Sequence, residues 1–191
     1  MRRTLKRMAT VLVFAMTLWG CTSGGMEPGI ADPGSDRWFV QKAHAHLSEM
    51  GVKSPAKSFR LERLERDGLG KVHLWMVQRV AGIPVWGRRL QMHMNGNGEV
   101  YRIDGEMVPD PGDIQLPPLL DAEEAFRRGI SSGGKAVRFR NRGLFLYVGD
   151  PRAGVVPVYE MEAVEGLRRR IFLLDARSGA VVKQIEGSPH R

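Results

Sequence analysis

The residues of this 191-residue chain that could do covalent or metal chemistry are five histidines, one cysteine and a few serines. A zinc-hydrolytic helix needs two imidazoles one turn apart, a third ligand, and a carboxylate to activate water. No His-Glu-x-x-His occurs in the sequence. His44 and His46 are two residues apart, so on a helix their rings point about 200° away from each other. Glu49 beside them is then a solvated acid. His73 and His93 approach each other if their segments are neighbouring strands, as a zinc pair or as half-buried, hydrogen-bonded imidazoles. Ser131, Ser132 and Ser178 fall in turn-like stretches with no base close in sequence. Asp121, Glu123 and Glu124 have a complete explanation as helix-start acids. No glycine-rich phosphate loop precedes a helix. Without a nucleophile–base pair, a metal set or a phosphate cradle, the expectation is a protein that is not an enzyme and holds no cofactor.

Cys21 has a different use. MRRTLKR carries four basic residues and no acid, and an apolar-to-neutral run follows, too short to span a bilayer. Leu18-Trp19-Gly20-Cys21 resembles the bacterial lipobox, which predicts a signal peptide over residues 1–20 and lipidation of Cys21. As the single cysteine it has no intramolecular disulfide partner. The mature chain is expected to be exported and held to a cell-envelope membrane by its lipid, facing the periplasm from the outer membrane in a Gram-negative cell. Residues 21–35 are small, Gly/Pro-rich and poor in apolar side chains, and read as a flexible tether.

Losing residues 1–20 also changes the charge. The full chain has 29 basic and 21 acidic residues; the leader takes four basic and no acidic ones, which leaves 25 against 21. Basic clusters remain at 138–142 and 167–170, but stacking aromatics are sparse around them. They read as solvated strand edges, and no nucleic-acid partner is expected.

From Asp36 a helical pattern runs to Gly51, with Asp36 as its cap and Trp38, Phe39, Ala43 and Leu47 as its apolar positions. Residues 58–67 alternate with a slip near Leu64, DGLG (67–70) turns the chain, and Val72, Leu74 and Met76 alternate in the next strand. GIPVWG, Gly82 to Gly87, interrupts the pattern. Pro84 has no donor for a ladder and Gly82 permits a sharp bend, so a kinked sheet is expected there. Asn95-Gly96-Asn97-Gly98 signals a hairpin, and a strand returns to 108. Residues 109–120 hold four of the eleven prolines and read as a linker between modules. A helix capped by Asp121 follows, then strands over 143–149, 155–164, 168–176 and 180–187. The fold class expected is α+β: two consecutive helix-plus-antiparallel-sheet modules, over 36–108 and 121–187, with a tail at 188–191.

Two sets of residues resemble a known arrangement. His73-x4-Gln78-x3-Gly82-Ile83-Pro84-Val85-x-Gly87, followed by His93, Gly98-Glu99-Val100 and Gly105, is similar to the fungalysin/thermolysin propeptide motif. The capped helix from Asp121, Pro157-x-Tyr159-Glu160 and Leu174-Asp175-Ala176-x-Ser178-Gly179 resemble a PepSY domain. In that order they resemble the pro-region of thermolysin-like metallopeptidases without its catalytic domain. The resemblance implies a non-catalytic protein that binds a secreted thermolysin-like metallopeptidase in trans, as inhibitor or folding assistant. It also implies hydrogen-bonded rather than metal-bound imidazoles at His73 and His93. The partner-binding candidates are Trp75, Trp86 and Tyr101 as an aromatic patch, Ile83, Pro84 and Val85 at the bend, and His190 in the tail. The alternative is an envelope structural or interaction lipoprotein that binds other proteins or peptides along an open sheet edge, unrelated to proteolysis.

Overall fold

The structure is a computed structural model that describes residues 31–109, 114, 116–130, 138–149, 154–165 and 168–187. The expected signal peptide, Cys21, most of the tether, Ser131, Ser132 and the tail with His190 lie outside the described residues.

Helix α1 (Asp36–Glu49) buries Phe39, Ala43 and Leu47, which recur every fourth residue along one stripe. Its cap is Ser35, whose hydroxyl accepts from the Trp38 amide at 3.2 Å. Asp36, expected as the cap, is instead the first-turn acid and pairs with Arg66 at 2.7 Å. A short helix α2 (Pro55–Ser58) leads into four antiparallel strands, β1 (Phe59–Arg66), β2 (Val72–Val80), β3 (Ile83–Met94) and β4 (Val100–Gly105). The irregularity in β1 falls between Leu61 and Arg63. Buried and half-buried residues alternate without a break along β2. Its Val72, Leu74 and Met76 pack with Leu90, Met92 and Met94 of β3 beneath α1.

Helix α3 (Ala122–Gly129) starts at Asp121, whose carboxylate accepts from the Glu124 amide at 2.7 Å. Arg127 and Arg128 lie in its last turn, and Glu124 pairs with both. Four strands follow, β5 (Arg138–Tyr147), β6 (Val156–Glu165), β7 (Arg168–Asp175) and β8 (Val181–Gly187), with antiparallel neighbours throughout. Strand β5 starts five residues before the glycine that the sequence pattern suggested, because Phe139 packs on Phe126 of α3, ring centres 4.1 Å apart.

The two halves are not separate modules. All eight strands belong to one mixed sheet, ordered β1-β2-β3-β5-β6-β7-β8 with β4 also on β3, and the helices are few and short. This overturns the expected pair of consecutive helix-plus-antiparallel-sheet modules. The reason is the long strand β3, one edge of which is divided. Leu90–Met94 pairs with β4, while Val85 meets Leu146 of β5 in the sheet's parallel contact. Around that contact Val80, Val85 and Leu146 form a third buried cluster, joined by Ile83, Val108, Ile114, Leu116, Val148 and Val155. Part of the proline-rich stretch therefore packs against the joint.

Candidate functional site

The bend at GIPVWG is what makes the joint. Ala81 and Gly82, at φ 49° and 80°, form the two-residue turn between β2 and β3. Ile83 and Pro84 pair back onto Val80 and Arg79. The register then jumps, so that Val85 to Arg88 stand opposite Gln78 alone. The freed backbone at Val85 turns to β5, and Gly87, at φ 70°, brings the strand back to β2. Val85 is 2% exposed and gives its side chain to the core. Ile83 and Pro84 are half-buried beside it. Trp86 locks the joint from the other side: its indole N–H donates to Glu160 at 2.8 Å, its ring meets Tyr147 edge-on, and the Lys183 ammonium lies 5.4 Å from its centre.

Gln78 fills the space left by the jump. Its amide donates to the Val108 carbonyl at 2.7 Å and accepts from the Val108 amide at 2.8 Å. A buried side chain thus stands in for a strand neighbour and holds the segment leaving β4. Gln78→Leu keeps the volume and leaves both Val108 groups without that partner. It is expected to cost about 2 kcal/mol in chemical denaturation.

His73 and His93 stand directly opposite each other on β2 and β3. Their Nδ1 atoms are 2.7 Å apart, His73 Nε2 is 3.4 Å from Asp67 Oδ2, and His93 Nε2 is 2.9 Å from Asp104 Oδ2. Arg102 closes the row with two hydrogen bonds to Asp104. Each outer nitrogen faces a carboxylate, and the two inner nitrogens face each other. Such a chain ties β1's turn, β2, β3 and β4 together across the sheet. Among the described residues no three His, Cys, Asp or Glu side chains are grouped to hold a metal ion. The approach of the two histidines was legible from the strand pattern. Their end partners were missed, because Asp67 reads as a turn residue and its carboxylate does also accept from the Leu69 and Lys71 amides.

The odd-numbered residues of β2 face away from α1, so this row lies on the sheet's open side. Trp75 is half-buried under the Arg63 guanidinium, 4.3 Å from its ring centre, and Tyr101 is 49% exposed. The histidine rings link them: Trp75 to His73 is 6.4 Å, His73 to His93 4.8 Å, and His93 to Tyr101 6.0 Å. Two of the three aromatic candidates therefore share one row, while Trp86 belongs to the joint.

Several acids are held below the usual carboxylate range. For Asp67 the main cause is the Lys71 amide, and for Asp104 the Arg102 hydrogen bond. Burial by itself would raise Glu162, but Arg142 and Arg169 outweigh it; Arg177 and nearby amides do the same for Asp175. His44 is lowered by burial despite a hydrogen bond to the Phe59 backbone. Acids depressed in the folded state contribute stability at neutral pH that is lost as pH falls through their folded values. A histidine kept neutral by folding loses its contribution once pH drops below the ordinary histidine value. The thermal midpoint is thus expected to fall in two stages on acidification, first below the ordinary histidine range and then through the carboxylate range. A midpoint that is flat or rising between pH 7 and 3 would contradict these assignments.

No curated protein matches the chain in sequence. Among solved structures, the Bacillus megaterium YpeB C-terminal domain is similar at 13% identity and a TM-score of 0.37, over 82% of this chain and 67% of that one. Residues 57–107, which carry β1 to β4, the histidine row, Gln78 and the bend, match the Fungalysin/Thermolysin Propeptide Motif over about a quarter of the chain, and on that ground the protein is propeptide-like.

Proposed function

We propose that this protein is a non-catalytic lipoprotein, anchored through Cys21, that binds a thermolysin-like zinc peptidase in trans as inhibitor or folding assistant. The observation that carries the proposal is the propeptide-motif match over residues 57–107. The PepSY-like residues of the second half support it. Asp175 accepts from the Arg177 and Ser178 amides, and Tyr159 donates to the Leu120 carbonyl at 2.8 Å. These contacts give the motif positions a structural use. Affinity would come from shape match and buried apolar area, with Trp75 and Tyr101 on the open face as its anchors. The test is to refold a denatured thermolysin-like zinc peptidase, expressed without its own pro-region, with and without the full-length chain. Recovered peptidase should rise with the chain present, or active peptidase should lose activity when the chain is added. If both are unchanged at equimolar and tenfold excess, the proposal fails.

The alternative role, an envelope protein that binds peptides along a sheet edge, has one observation in its favour. Strand β8 ends the sheet order, and Val181 and Val182 on it are 45% and 38% exposed.

A further inference from the structure

On the open side of the sheet, where the β1–β3 part meets β5, lies a groove of about 410 Å³. Its centre is Val77. Arg60 stands directly opposite Val77 on β1, and Arg89 opposite it on β3. Arg79 is two residues further along β2, so its side chain rises on the same face. Three guanidiniums thus surround one apolar position, and Pro84 and Phe145 extend the apolar floor towards the joint.

The charge in this groove is not balanced from within. Glu62 pairs with Arg89 at 3.1 Å. Arg60 and Arg79 have no carboxylate partner among the described residues, whereas Arg63 and Arg66 on β1 and Arg102 on β4 are each paired with an acid. Arg79 is also partly buried, which raises the gain from a partner that neutralises it.

We propose that this groove binds an extended acidic peptide segment, with a glutamate or aspartate held between Arg60 and Arg79 and a neighbouring apolar side chain on Val77, Pro84 and Phe145. A planar guanidinium takes a carboxylate in two parallel hydrogen bonds, and diagonal neighbours across strands, roughly 7–8 Å apart along the backbone, lie within reach of each other's long side chains, so the two arginines can share one or two carboxylates. The apolar floor selects a peptide over a free anion, because an anion alone leaves that floor uncovered. This site stands apart from the peptidase proposal: it follows from the charge and shape of the groove whatever protein supplies the segment.

The test uses the ¹⁵N-labelled full-length chain and an N-acetylated, C-amidated hexapeptide of alternating glutamate and leucine. The amides of residues 60–62, 77–79, 85, 89 and 145 are expected to shift saturably, with affinity weakened by added salt. Arg60→Glu with Arg79→Glu should weaken binding at least tenfold, while Arg37→Glu on the exposed face of α1 should change it less than twofold. If the double reversal fails to fold, the double glutamine variant replaces it, with at least a threefold loss expected. The proposal is overturned if a lysine–leucine peptide binds equally well, if the double variant keeps its affinity, or if shifts scatter over the surface. Inorganic phosphate shifting the same amides while the peptide is silent also overturns it. Loss of peptidase binding with peptide binding intact would sink the function proposed above and leave this site standing.

Discussion

Gly105→Ala is expected to destabilise the protein by about 3 kcal/mol or more, the largest single effect among small substitutions in the β1–β4 meander. Gly105 ends β4 opposite Leu90, at φ 105°. An L-residue held at such a φ costs roughly 1–3 kcal/mol before any contact is considered. A Cβ there would also lie 2.1 Å from the Arg89 carbonyl oxygen and 3.4 Å from the Leu90 Cα. Both are backbone atoms and cannot rotate aside, so β4 must move off β3. The register at Leu90 would be lost first, followed by the packing of Ile103 on the core. Gly96→Ala is the control. Its Cβ would meet the Gly70 carbonyl at an ordinary 3.5 Å, and its φ is not positive. It should change stability by less than about 0.5 kcal/mol in the same denaturant titration. Equal effects at the two positions would show that β4 does not sit against Arg89 as described.

Leu146→Ala tests the joint between the halves of the sheet. Leu146 is fully buried and meets Val85 in the parallel contact. One register pair supplies very little ladder, so side-chain packing must hold the halves together. A Leu-to-Ala change at a buried site costs about 3 kcal/mol, through lost transfer energy and the cavity left behind. Beyond the loss of stability, amide exchange in β5 and at Val85 should quicken more than in β2, because the contact that fails is local to the joint. Leu69→Ala at an 82% exposed turn position should change neither quantity measurably. A cost below about 1 kcal/mol at Leu146, with exchange in β5 unchanged, would mean that the halves hold together by other means.

The strands were legible because their physics is local. Val72, Leu74 and Met76 alternate with His73 and Trp75, the turn residues lie where the chain reverses, and each antiparallel neighbour follows its partner in sequence. From this the approach of His73 to His93 could be read directly. The positions of α1 and α3 were equally plain, although the one-turn α2 was not foreseen and at α1 two adjacent capping types competed, Ser35 winning by reaching the Trp38 amide. The joint was not legible. Val85 and Leu146 are separated by the β3–β4 hairpin and α3, and a single parallel pair leaves no periodic trace. The same blind spot hid the burial of Val85: in a proline–glycine stretch with broken alternation, nothing local distinguishes a buried valine from an exposed one. Gln78 and Asp104 were hidden for a related reason. Their roles depend on atoms that come near them only after the strands have paired.

The claim that most needs testing is that the propeptide-like chain acts by binding a peptidase. The most direct measurement is calorimetric titration of the full-length chain into a thermolysin-like zinc peptidase that lacks its own pro-region, repeated during refolding of that enzyme by following complex formation in light scattering. A saturable one-to-one complex, with a dissociation constant of about a micromolar or tighter, is the predicted result. No heat with the folded enzyme and no complex with the refolding one would contradict it.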